Sequence, residues 1–452
     1  MVMMMMSIRS ACARGATTAA FPLGGGCSLP LAARSASSAA TTSEAGVKDV
    51  YAGNVMATYG RFDIVLEKGE GNHVWDEQGK RYLDMGGGIA VNCLGHSHPA
   101  IVDTVQTQIT KLLHVSNLYY TEQQGELARR LNGLMGGGGR TFFCNSGAEA
   151  NEGMYKLARK HGDGRYEIIT AQNSFHGRTL AGIAATGQDK IKNGFHPMMP
   201  GFSHVPFNDL AALEKSITDK TAAVMIEGVQ GEGGILPATP EYLAGIRKLC
   251  DAHGILMLMD GVQCGHFRTG RFQSFQSIME GAGDVVPDAM SMAKSLGGGF
   301  PMGAMWCSEE LRDVLSAGTH GTTYGGGPLG CAIANAILDV VEEEDLQGNV
   351  RSANASIVRR FAKLHETYPG IIKDGSPRGM GLMLGIELES GIGAFSSSEA
   401  SPALQLVGRL HDAGVLTVPS GDSVVRLLPA LNIDEEAIEE CFAAFDKVFS
   451  DM

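Results

Sequence analysis

Several features that would indicate a function class are missing from this chain. Its nine cysteines form no Cys-x-x-Cys pair and no zinc-ligand spacing, so we predict free thiols in a reducing compartment and no metal site. No apolar run is long enough to span a bilayer, and no membrane partner is predicted. Basic residues are the minority, with 36 Lys and Arg against 49 Asp and Glu. The net charge of −13 argues against nucleic-acid binding, which usually requires a basic surface.

Acidic residues are absent from the first 43 residues of the chain. Residues 1–43 contain Arg9, Arg14 and Arg34 among many Ser, Ala and Thr residues, and no Asp or Glu. This composition is typical of a transit peptide, so the segment is excluded from fold prediction. The mitochondrial matrix is the expected location. A plastid, which Ala20-Phe21-Pro22 could indicate, and an extension without targeting function are the alternatives.

The remaining chain is long enough for more than one domain with a large core. Residues 44–98 form an N-terminal segment with a hairpin signal over Phe62–Leu83, whose turn is Asp76–Lys80. His96 and His98 have no third ligand nearby, so we predict a turn with hydrogen-bonded imidazoles there rather than a metal site.

Strands and helices alternate between residues 99 and 343. The predicted strands are Glu167–Ala171, Ala222–Glu227, Ile255–Met259 and Ala289–Ala293. The predicted helices are Pro99–Leu113, Gly125–Met135, one that opens within residues 142–152 and continues to about Lys160, Pro240–His253, and Pro328–Val341. The alternation predicts an α/β fold, with a large domain built on a mostly parallel sheet flanked by helices.

Residues 344–452 follow a different pattern, which predicts a smaller α+β domain. It begins with a helix, and the later predicted elements are the strand Gly379–Leu388, the helix Pro402–Ala413, the strands Val415–Val418 and Val424–Leu428, and the helix Asp434–Phe449.

Three ionisable residues stand at the ends of predicted strands: Glu227, Asp260 and Lys294. Binding sites in parallel sheets lie beyond the carboxyl ends of the strands, so these side chains are expected at one edge. Lys294 precedes the glycine-rich turn Gly297–Gly299. Burial there would lower the pKa of its amine and make it a nucleophile toward carbonyl groups. Taken alone, a lysine on the surface that caps a strand is the commoner interpretation.

Other residues suit a phosphate-bearing ring compound. Ser146-Gly147-Ala148 enters a helix, where N–H groups favour a phosphate, although a plain serine N-cap explains the motif equally well. Asp260, after an apolar run, would pair with a pyridinium nitrogen, and Gln263 could reach a ring hydroxyl.

Phe175-His176-Gly177-Arg178 combines two further functions. The ring of Phe175 offers a face for stacking, and the guanidinium of Arg178 offers a fork for a carboxylate. Each motif is weak alone, and their occurrence in this order is the stronger signal.

Together these motifs resemble the class III aminotransferases of the fold-type-I superfamily, which depend on pyridoxal 5′-phosphate (PLP). The resemblance covers roughly residues 58–450 and includes GGIAVNCLGHSHP, NSGAEANE, SFHGRT, AKSLGGGFP and HGTTYGG. Within that family, QGEGG and HVSNLYY favour N-acetylornithine as amino donor over ornithine or 4-aminobutyrate. The implied reaction uses 2-oxoglutarate as acceptor and yields glutamate, in arginine biosynthesis.

The resemblance implies a role for each cofactor residue. Lys294 would form the Schiff base with PLP and move protons, while Asp260 would keep the ring nitrogen protonated. Phe175 would stack on the cofactor ring, and Ser146, Gly147 and Ala148 would lie at the phosphate. A homodimer with shared active sites is implied, in which Thr323 of the partner subunit would add a hydroxyl.

The resemblance also implies how two unlike substrates are bound. Arg178 would bind the carboxylate far from the reacting carbon in both. Arg426 would bind the near carboxylate of glutamate or 2-oxoglutarate, and Glu232 would pair with Arg426 when that carboxylate is absent. The alternative is that Glu232 is a solvated loop residue and Arg426 a structural ion-pair partner.

Four positions depart from the family pattern. Gly228 replaces a proline, Gly261 a glutamate and Phe267 a glycine, while Gly327 is followed by proline without the usual asparagine. Gly228 and Gly261 are expected to loosen two strand ends. The departures keep two alternatives open: an aminotransferase for ornithine or another ω-amine, and a PLP-binding paralogue with impaired turnover.

Overall fold

The structure is a computed structural model that describes residues 46–395 and 398–452, so the predicted transit peptide lies outside the described residues. The described chain divides into two units, of which the first ends at Phe62 and the second spans Asp63–Met452. The described part of the first unit contains the helix Val47–Asn54. Its Arg61 guanidinium lies over the ring of Tyr51, 5.2 Å from the centroid.

A seven-stranded sheet forms the centre of the second unit. Its strands lie in the order Arg140–Cys144, Gly303–Cys307, Ala289–Met292, Leu256–Asp260, Thr221–Glu227, Glu167–Ala171 and Phe202–Val205. Gly303–Cys307 is antiparallel to both of its neighbours, and the other four strand pairs of this sheet are parallel. All residues of its three middle strands are buried, as expected for a sheet covered on both faces. The predicted α/β fold with a mostly parallel sheet is confirmed.

Helices accompany this sheet along the chain. They are Pro99–Lys111, Glu122–Leu134, Gly147–His161, Leu180–Ala185, Asp189–Lys192, Leu210–Ser216, Pro240–His253, Ser274–Ile278 and Pro328–Glu343, followed by Leu346–Thr367, Pro402–Asp412 and Glu435–Ser450. The local sequence fixes their ends. The hydroxyl of Thr239 accepts the N–H of Tyr242 at the start of Pro240–His253, and Gly254 ends that helix with a left-handed φ of 58°.

Two four-stranded sheets and a short two-stranded ribbon complete the fold. One sheet has the order Leu66–Glu70, His73–Asp76, Arg81–Asp84 and Val415–Leu416, so the N-terminal segment and the C-terminal part share it. The other has the order Arg378–Met380, Met383–Glu387, Val424–Leu427 and Val418–Ser420, and the ribbon pairs Val229–Gln230 with Leu236–Pro237. The domain boundaries at residues 99 and 344 stay predictions.

Two strand predictions were wrong, and several strands were missed. Residues 379–388 do not form one strand, because Gly381 adopts a φ of 56° and turns the chain between Met380 and Met383. The predicted strand over residues 415–418 is broken at Thr417. Three strands of the central sheet were not predicted: Arg140–Cys144, Phe202–Val205 and Gly303–Cys307. The hairpin with its turn after Asp76 is confirmed.

Seven cysteines in the described ranges are free and buried. His96 Nε2 lies 2.8 Å from Asp84 Oδ2, consistent with a hydrogen-bonded turn. Within residues 46–395 and 398–452, no group of His, Cys, Asp and Glu side chains could hold a metal ion. None of the helices described is long and apolar enough to cross a membrane.

Candidate active site

A cavity of about 400 Å³ lies at the carboxyl ends of the central strands. It brings together most of the residues predicted from the sequence. Its lining includes Ser146, Gly147, Ala148, Phe175, Arg178, Glu232, Asp260, Gln263 and Lys294. These residues come from loops that follow different strands, so the topology rather than sequence proximity assembles the site.

Asp260 is the most firmly held group of the cavity. Its side chain is only 4% exposed, and its Oδ2 accepts hydrogen bonds from Asn151 Nδ2 at 2.8 Å and His176 Nδ1 at 2.9 Å. Its Oδ1 accepts the N–H of Val262 at 3.0 Å. Burial alone would raise the pKa of Asp260, but the hydrogen bond and charge of His176 with these other donors hold it below its usual value. The buried carboxylate is therefore ionised.

Lys294 follows the strand Ala289–Met292 and begins a short 3₁₀ turn, Lys294–Leu296. Burial of its amine lowers the pKa to about 8, and the positive charge of Arg426 acts in the same direction. Glu232, Asp260 and Glu227 oppose this shift. The neutral, nucleophilic amine is thus populated near neutral pH.

The residues predicted for a phosphate lie at the N-terminus of the helix Gly147–His161. The Ser146 hydroxyl accepts the N–H of Glu149 at 3.2 Å, so the serine N-cap is present. The first N–H groups of a helix have no partner within it, and its dipole favours an anion there. A Cβ on Gly147 would lie 2.7 Å from the side chain of Val262, so only glycine fits. The N-cap and the anion-binding interpretations are therefore compatible.

Phe175 and Arg178 lie together on one wall. The guanidinium carbon of exposed Arg178 is 5.6 Å from the centroid of the Phe175 ring. A planar cation over an aromatic face keeps both side chains oriented toward the cavity. The pair offers a stacking surface and a carboxylate ligand side by side.

Arg426 and Glu232 form an ion pair beside the cavity. Arg426 is 2% exposed and lies behind the lining; its Nη1 is 2.7 Å from Glu232 Oε1 and 3.4 Å from Gln263 Oε1. The Glu232 side chain is 32% exposed. A carboxylate at the edge of solvent can leave its partner more easily than a buried one can.

Two predicted site residues do not line the cavity of their own chain: Arg426 lies behind the lining, and Thr323 lies outside it. Thr323 differs from Arg426 in its exposure. It is exposed. Its neighbour Thr322 faces inward instead, accepting a hydrogen bond from Asn145 Nδ2 at 3.1 Å.

Sequence reasoning missed two residues of the site and gave no role to a third. Asn151 and His176 hold Asp260. Glu227 was expected at this edge of the sheet and lines the cavity, but no role was assigned to it from the sequence. Asn151 lies one helical turn after Gly147, so the helix period could have placed both on the cavity face. His176 adjoins Phe175 in a motif already singled out.

Other side chains fill the space beside two of the departing glycines. A Cβ on Gly261 would lie 2.5 Å from Met290 Cε and 2.6 Å from Gln273 Oε1. A Cβ on Gly228 would lie 2.8 Å from Ser274 Cβ. The segment around Gln273 and Ser274 therefore packs against both strand ends, which opposes the predicted loosening.

The two other departures differ from each other. Phe267 adopts a φ of 64°, a left-handed conformation that favours glycine, and its buried ring packs 5.5 Å from that of Phe272. Gly327 has a φ of −59°, which any residue adopts, and is the N-cap of the helix Pro328–Glu343.

The residues present fit PLP. The ionised Asp260 carboxylate suits a pyridinium nitrogen, a helix N-terminus suits the phosphate, and Lys294 offers an amine for the aldehyde. His176 Nε2 and Asn151 Oδ1 are buried without a partner in the described structure, which leaves polar atoms available near the ring site.

The chain belongs to the class-III aminotransferase family, whose model matches residues 55–449. As in that family, its cofactor is PLP. The chain is 45% identical to the acetylornithine aminotransferase of Methanocaldococcus jannaschii over 402 residues, which cover 88% of this chain and 96% of the relative. It is 43% identical to the succinylornithine transaminase/acetylornithine aminotransferase of Pseudomonas aeruginosa, covering 87% and 94% of the two chains.

Solved structures agree with the fold. The ornithine aminotransferase of Toxoplasma gondii matches with a TM-score of 0.81 at 30% identity, covering 89% of this chain and 95% of the other. The N-acetylornithine aminotransferase of Stenotrophomonas maltophilia matches with a TM-score of 0.73 at 34% identity, covering 87% and 97%.

Proposed function

We propose that this aminotransferase moves the terminal amino group of N-acetyl-L-ornithine to 2-oxoglutarate, giving N-acetyl-L-glutamate 5-semialdehyde and L-glutamate, a step of arginine biosynthesis. The observation that carries the proposal is the Glu232–Arg426 pair beside the cavity that holds Lys294 and Asp260. The identity of 45% to an acetylornithine aminotransferase supports the same donor.

The cofactor end of the cavity would provide the chemistry. Bound PLP supplies an electron-withdrawing ring that stabilises negative charge at the carbon bearing the amino group. Asp260 would hold the proton on the ring nitrogen, and Phe175 would stack on the ring. The N–H groups of Gly147 and Ala148 would hold the phosphate, while Gln263 would bind the ring hydroxyl.

Lys294 would act as the proton carrier. Its Nζ, when it is not bonded to the cofactor, would accept the proton from the substrate carbon that bears the amino group and carry it within the site. A pKa lowered to about 8 suits this role, because the amine can both accept and release a proton near neutral pH.

The substrate end would distinguish the two half-reactions. Arg178 binds the carboxylate far from the reacting carbon in both. N-Acetylornithine has no carboxylate at its reacting carbon, so Glu232 stays paired with Arg426. 2-Oxoglutarate has one there, and it displaces Glu232 from Arg426, which avoids leaving a buried cation without a partner.

Two other donors have support of their own. The Pseudomonas aeruginosa relative is also named a succinylornithine transaminase, and the Toxoplasma gondii structure with the TM-score of 0.81 is an ornithine aminotransferase. Ornithine differs from N-acetylornithine by a free α-amino group, so a panel of donors separates these candidates.

The proposal includes a homodimer with shared active sites. The exposure of Thr323, outside the cavity of its own chain, supports a role for its hydroxyl at the phosphate of a partner subunit. Mixing Thr323→Ala chains with Lys294→Ala chains tests this, because a shared site predicts that each mixed dimer contains one site in which both residues are intact.

We also propose delivery to the mitochondrial matrix by residues 1–43, with a plastid as the alternative. The support is compositional, three arginines and no acidic residue. Fusion of this segment to a fluorescent protein, followed by imaging with markers of both organelles, tests the predicted location.

The main test is a donor panel with the purified, PLP-loaded protein and 2-oxoglutarate. N-Acetylornithine should give the highest kcat/KM, ahead of N-succinylornithine, ornithine and 4-aminobutyrate. A higher value for ornithine would overturn the assigned donor. Bound PLP without turnover of any donor would instead support the paralogue with impaired turnover.

A further inference from the structure

Glu227 lines the cavity but has no part in the chemistry proposed for Lys294 and Asp260. It ends the strand Thr221–Glu227, lies in register beside Asp260 and is 5% exposed. A carboxylate buried to this degree usually has a cationic partner. For Glu227, no ion pair with Lys, Arg or His occurs among the residues that the structure describes.

Two backbone N–H groups bind the carboxylate instead. Oε1 accepts the N–H of Phe175 at 3.1 Å, and Oε2 accepts the N–H of Gly231 at 3.0 Å. Phe175 belongs to the aromatic wall of the cavity, and Gly231 precedes Glu232 in the loop opposite. One side chain therefore joins two walls that belong to different parts of the chain.

Gly231 is fixed from its other side as well. Its carbonyl accepts hydrogen bonds from Ser420 Oγ at 3.1 Å and from Arg426 Nη1 at 3.2 Å. A Cβ on Gly231 would lie 2.5 Å from Gln263 Nε2, so the backbone approaches that side chain closely. Displacement of the Gly231 backbone would thus change the environment of Arg426.

We propose that Glu227 is a positioning residue that fixes the Phe175 wall and the Gly231 backbone at once, and so keeps Arg426 aligned with the near carboxylate of a dicarboxylate substrate. This rests on the proposed function, because that function assigns the near carboxylate to Arg426. Glu232 can leave Arg426 while Gly231, held by Glu227, stays in place. Glu227 thereby separates the part of the loop that moves from the part that does not.

Glu227 can hold both N–H groups only if each of its two carboxylate oxygens acts as a hydrogen-bond acceptor. Burial raises the pKa of Glu227 to about 7, helped by Asp260 and opposed by His176 and the two N–H groups. The charged or titratable groups facing it are Asp260, His176, Lys294 and Cys264. Protonation below about pH 7 would turn one oxygen into a donor and set it against an N–H group.

The substitution Glu227→Gln places a donor opposite one of the two N–H groups at every pH, with almost no change in the shape of the side chain. The amide has one acceptor and one NH₂ group, so either Phe175 or Gly231 must lose its bond. The test uses the PLP-loaded protein and two unreactive probes, whose binding is measured by calorimetry. Glutarate has two carboxylates, whereas N-acetylnorvaline, which is N-acetylornithine without its terminal amine, has one.

Loss of the Gly231 bond should weaken glutarate binding roughly tenfold and N-acetylnorvaline binding less than about twofold. Loss of the Phe175 bond should shift the visible absorption maximum of bound PLP. Either result supports the proposal. In the wild type, glutarate affinity should also fall below about pH 7 more steeply than in Glu227→Gln, which cannot titrate.

Asp76→Asn is the matched control. Asp76 is 7% exposed, and its Oδ1 accepts two backbone N–H groups, from Gln78 at 3.0 Å and Lys80 at 2.8 Å, but it lies outside the cavity lining. The same acid-to-amide change there should lower thermal stability without altering the ratio of the two affinities. If Glu227→Gln also leaves both this ratio and the PLP spectrum unchanged, Glu227 is only structural and the proposal is overturned.

The assigned amino donor and the positioning role of Glu227 can be refuted independently of each other. Glutarate binding requires no amino donor, so a wild-type protein that rejects N-acetylornithine would overturn the assigned donor without affecting this test. A double variant, Glu227→Gln with Arg426→Ala, adds a second check. Its loss of glutarate affinity should be smaller than the product of the two single losses, because both changes act on the same carboxylate contact.

Discussion

The two ends of the cavity are built in opposite ways. At the cofactor end, Asp260 is held by three hydrogen-bond donors and is 4% exposed. At the substrate end, Arg178 is exposed and Glu232, 32% exposed, faces a buried arginine. A group that must serve one cofactor in every turnover can be fixed, whereas groups that bind two different substrates must be able to rearrange. Changes at the fixed end should therefore affect both half-reactions, and changes at the adjustable end should affect them unequally.

Lys294→Ala should have the largest effect. The variant should lose the yellow colour of covalently bound PLP and at least about 1,000-fold in turnover of both half-reactions, because it loses the amine that binds the aldehyde and moves the proton. Absorbance spectra and single-turnover assays measure the two losses. Full transamination by this variant would refute the role of Lys294.

Asp260→Asn should retain some PLP but lose roughly 100- to 1,000-fold in kcat of both half-reactions. Asparagine is neutral and cannot stabilise a positive charge on the ring nitrogen. Single-turnover kinetics with each substrate, beside a PLP-binding assay, provide the measurement. Activity within a few-fold of wild type would mean that Asp260 only caps its strand.

Arg426→Ala and Glu232→Ala should break the symmetry between the half-reactions. Arg426→Ala should slow the reactions of glutamate and 2-oxoglutarate by about 30-fold or more, because it removes the ligand of the near carboxylate. Glu232→Ala should slow the N-acetylornithine reaction, since it leaves Arg426 unpaired, and spare or speed that of glutamate. Single-turnover spectra of each half-reaction report these rates separately; equal losses in both halves for both variants would exclude the exchange of partners.

Arg178→Lys should weaken the binding of both substrates to a similar and smaller extent, with KM rising about 3- to 10-fold for each. Lysine keeps the charge but loses the two-pronged contact and the planar stacking over Phe175. Steady-state KM values for N-acetylornithine and 2-oxoglutarate check this. Unchanged values for both would locate the far-carboxylate ligand elsewhere.

The smallest expected effect is on the pH dependence of PLP uptake, which reports directly on the pKa of Lys294 at the cofactor end of the cavity. Recombination of the PLP-free protein with PLP should accelerate as pH rises, with a midpoint near 8, because only the neutral amine of Lys294 attacks. Arg426→Ala should move the midpoint up, since it removes a nearby positive charge. Stopped-flow absorbance gives the profile, and a midpoint near the ordinary lysine value would contradict the lowered pKa.

Local signals in the sequence were enough for much of the fold. The helix Pro240–His253 was predicted with its observed ends, because Thr239, Pro240 and Gly254 are strong boundary residues. The short strand Gly303–Cys307 was missed because no periodic pattern distinguishes five buried residues that follow a glycine-rich turn.

The site was predictable where strand ends are polar and unpredictable where contacts are long-range. Asp260 and Lys294 stand out after apolar runs, and the structure brings both to one cavity. The hydrogen bond from Asn151 to Asp260 joins residues 109 positions apart, and no local rule brings them together. The anchoring of Phe175 by Glu227 is of the same kind.

The left-handed backbone of Lys294 has a consequence for the stability of this protein. With a φ of 49°, the position would suit glycine better than any residue with a side chain. Its amine, whose folded pKa is about 8, also makes the protonated protein less stable below that pH, and the penalty fades only as pH rises toward 10.5. On stability alone another residue would suit this position better, so the cost of this lysine to the fold fits its proposed role in the chemistry.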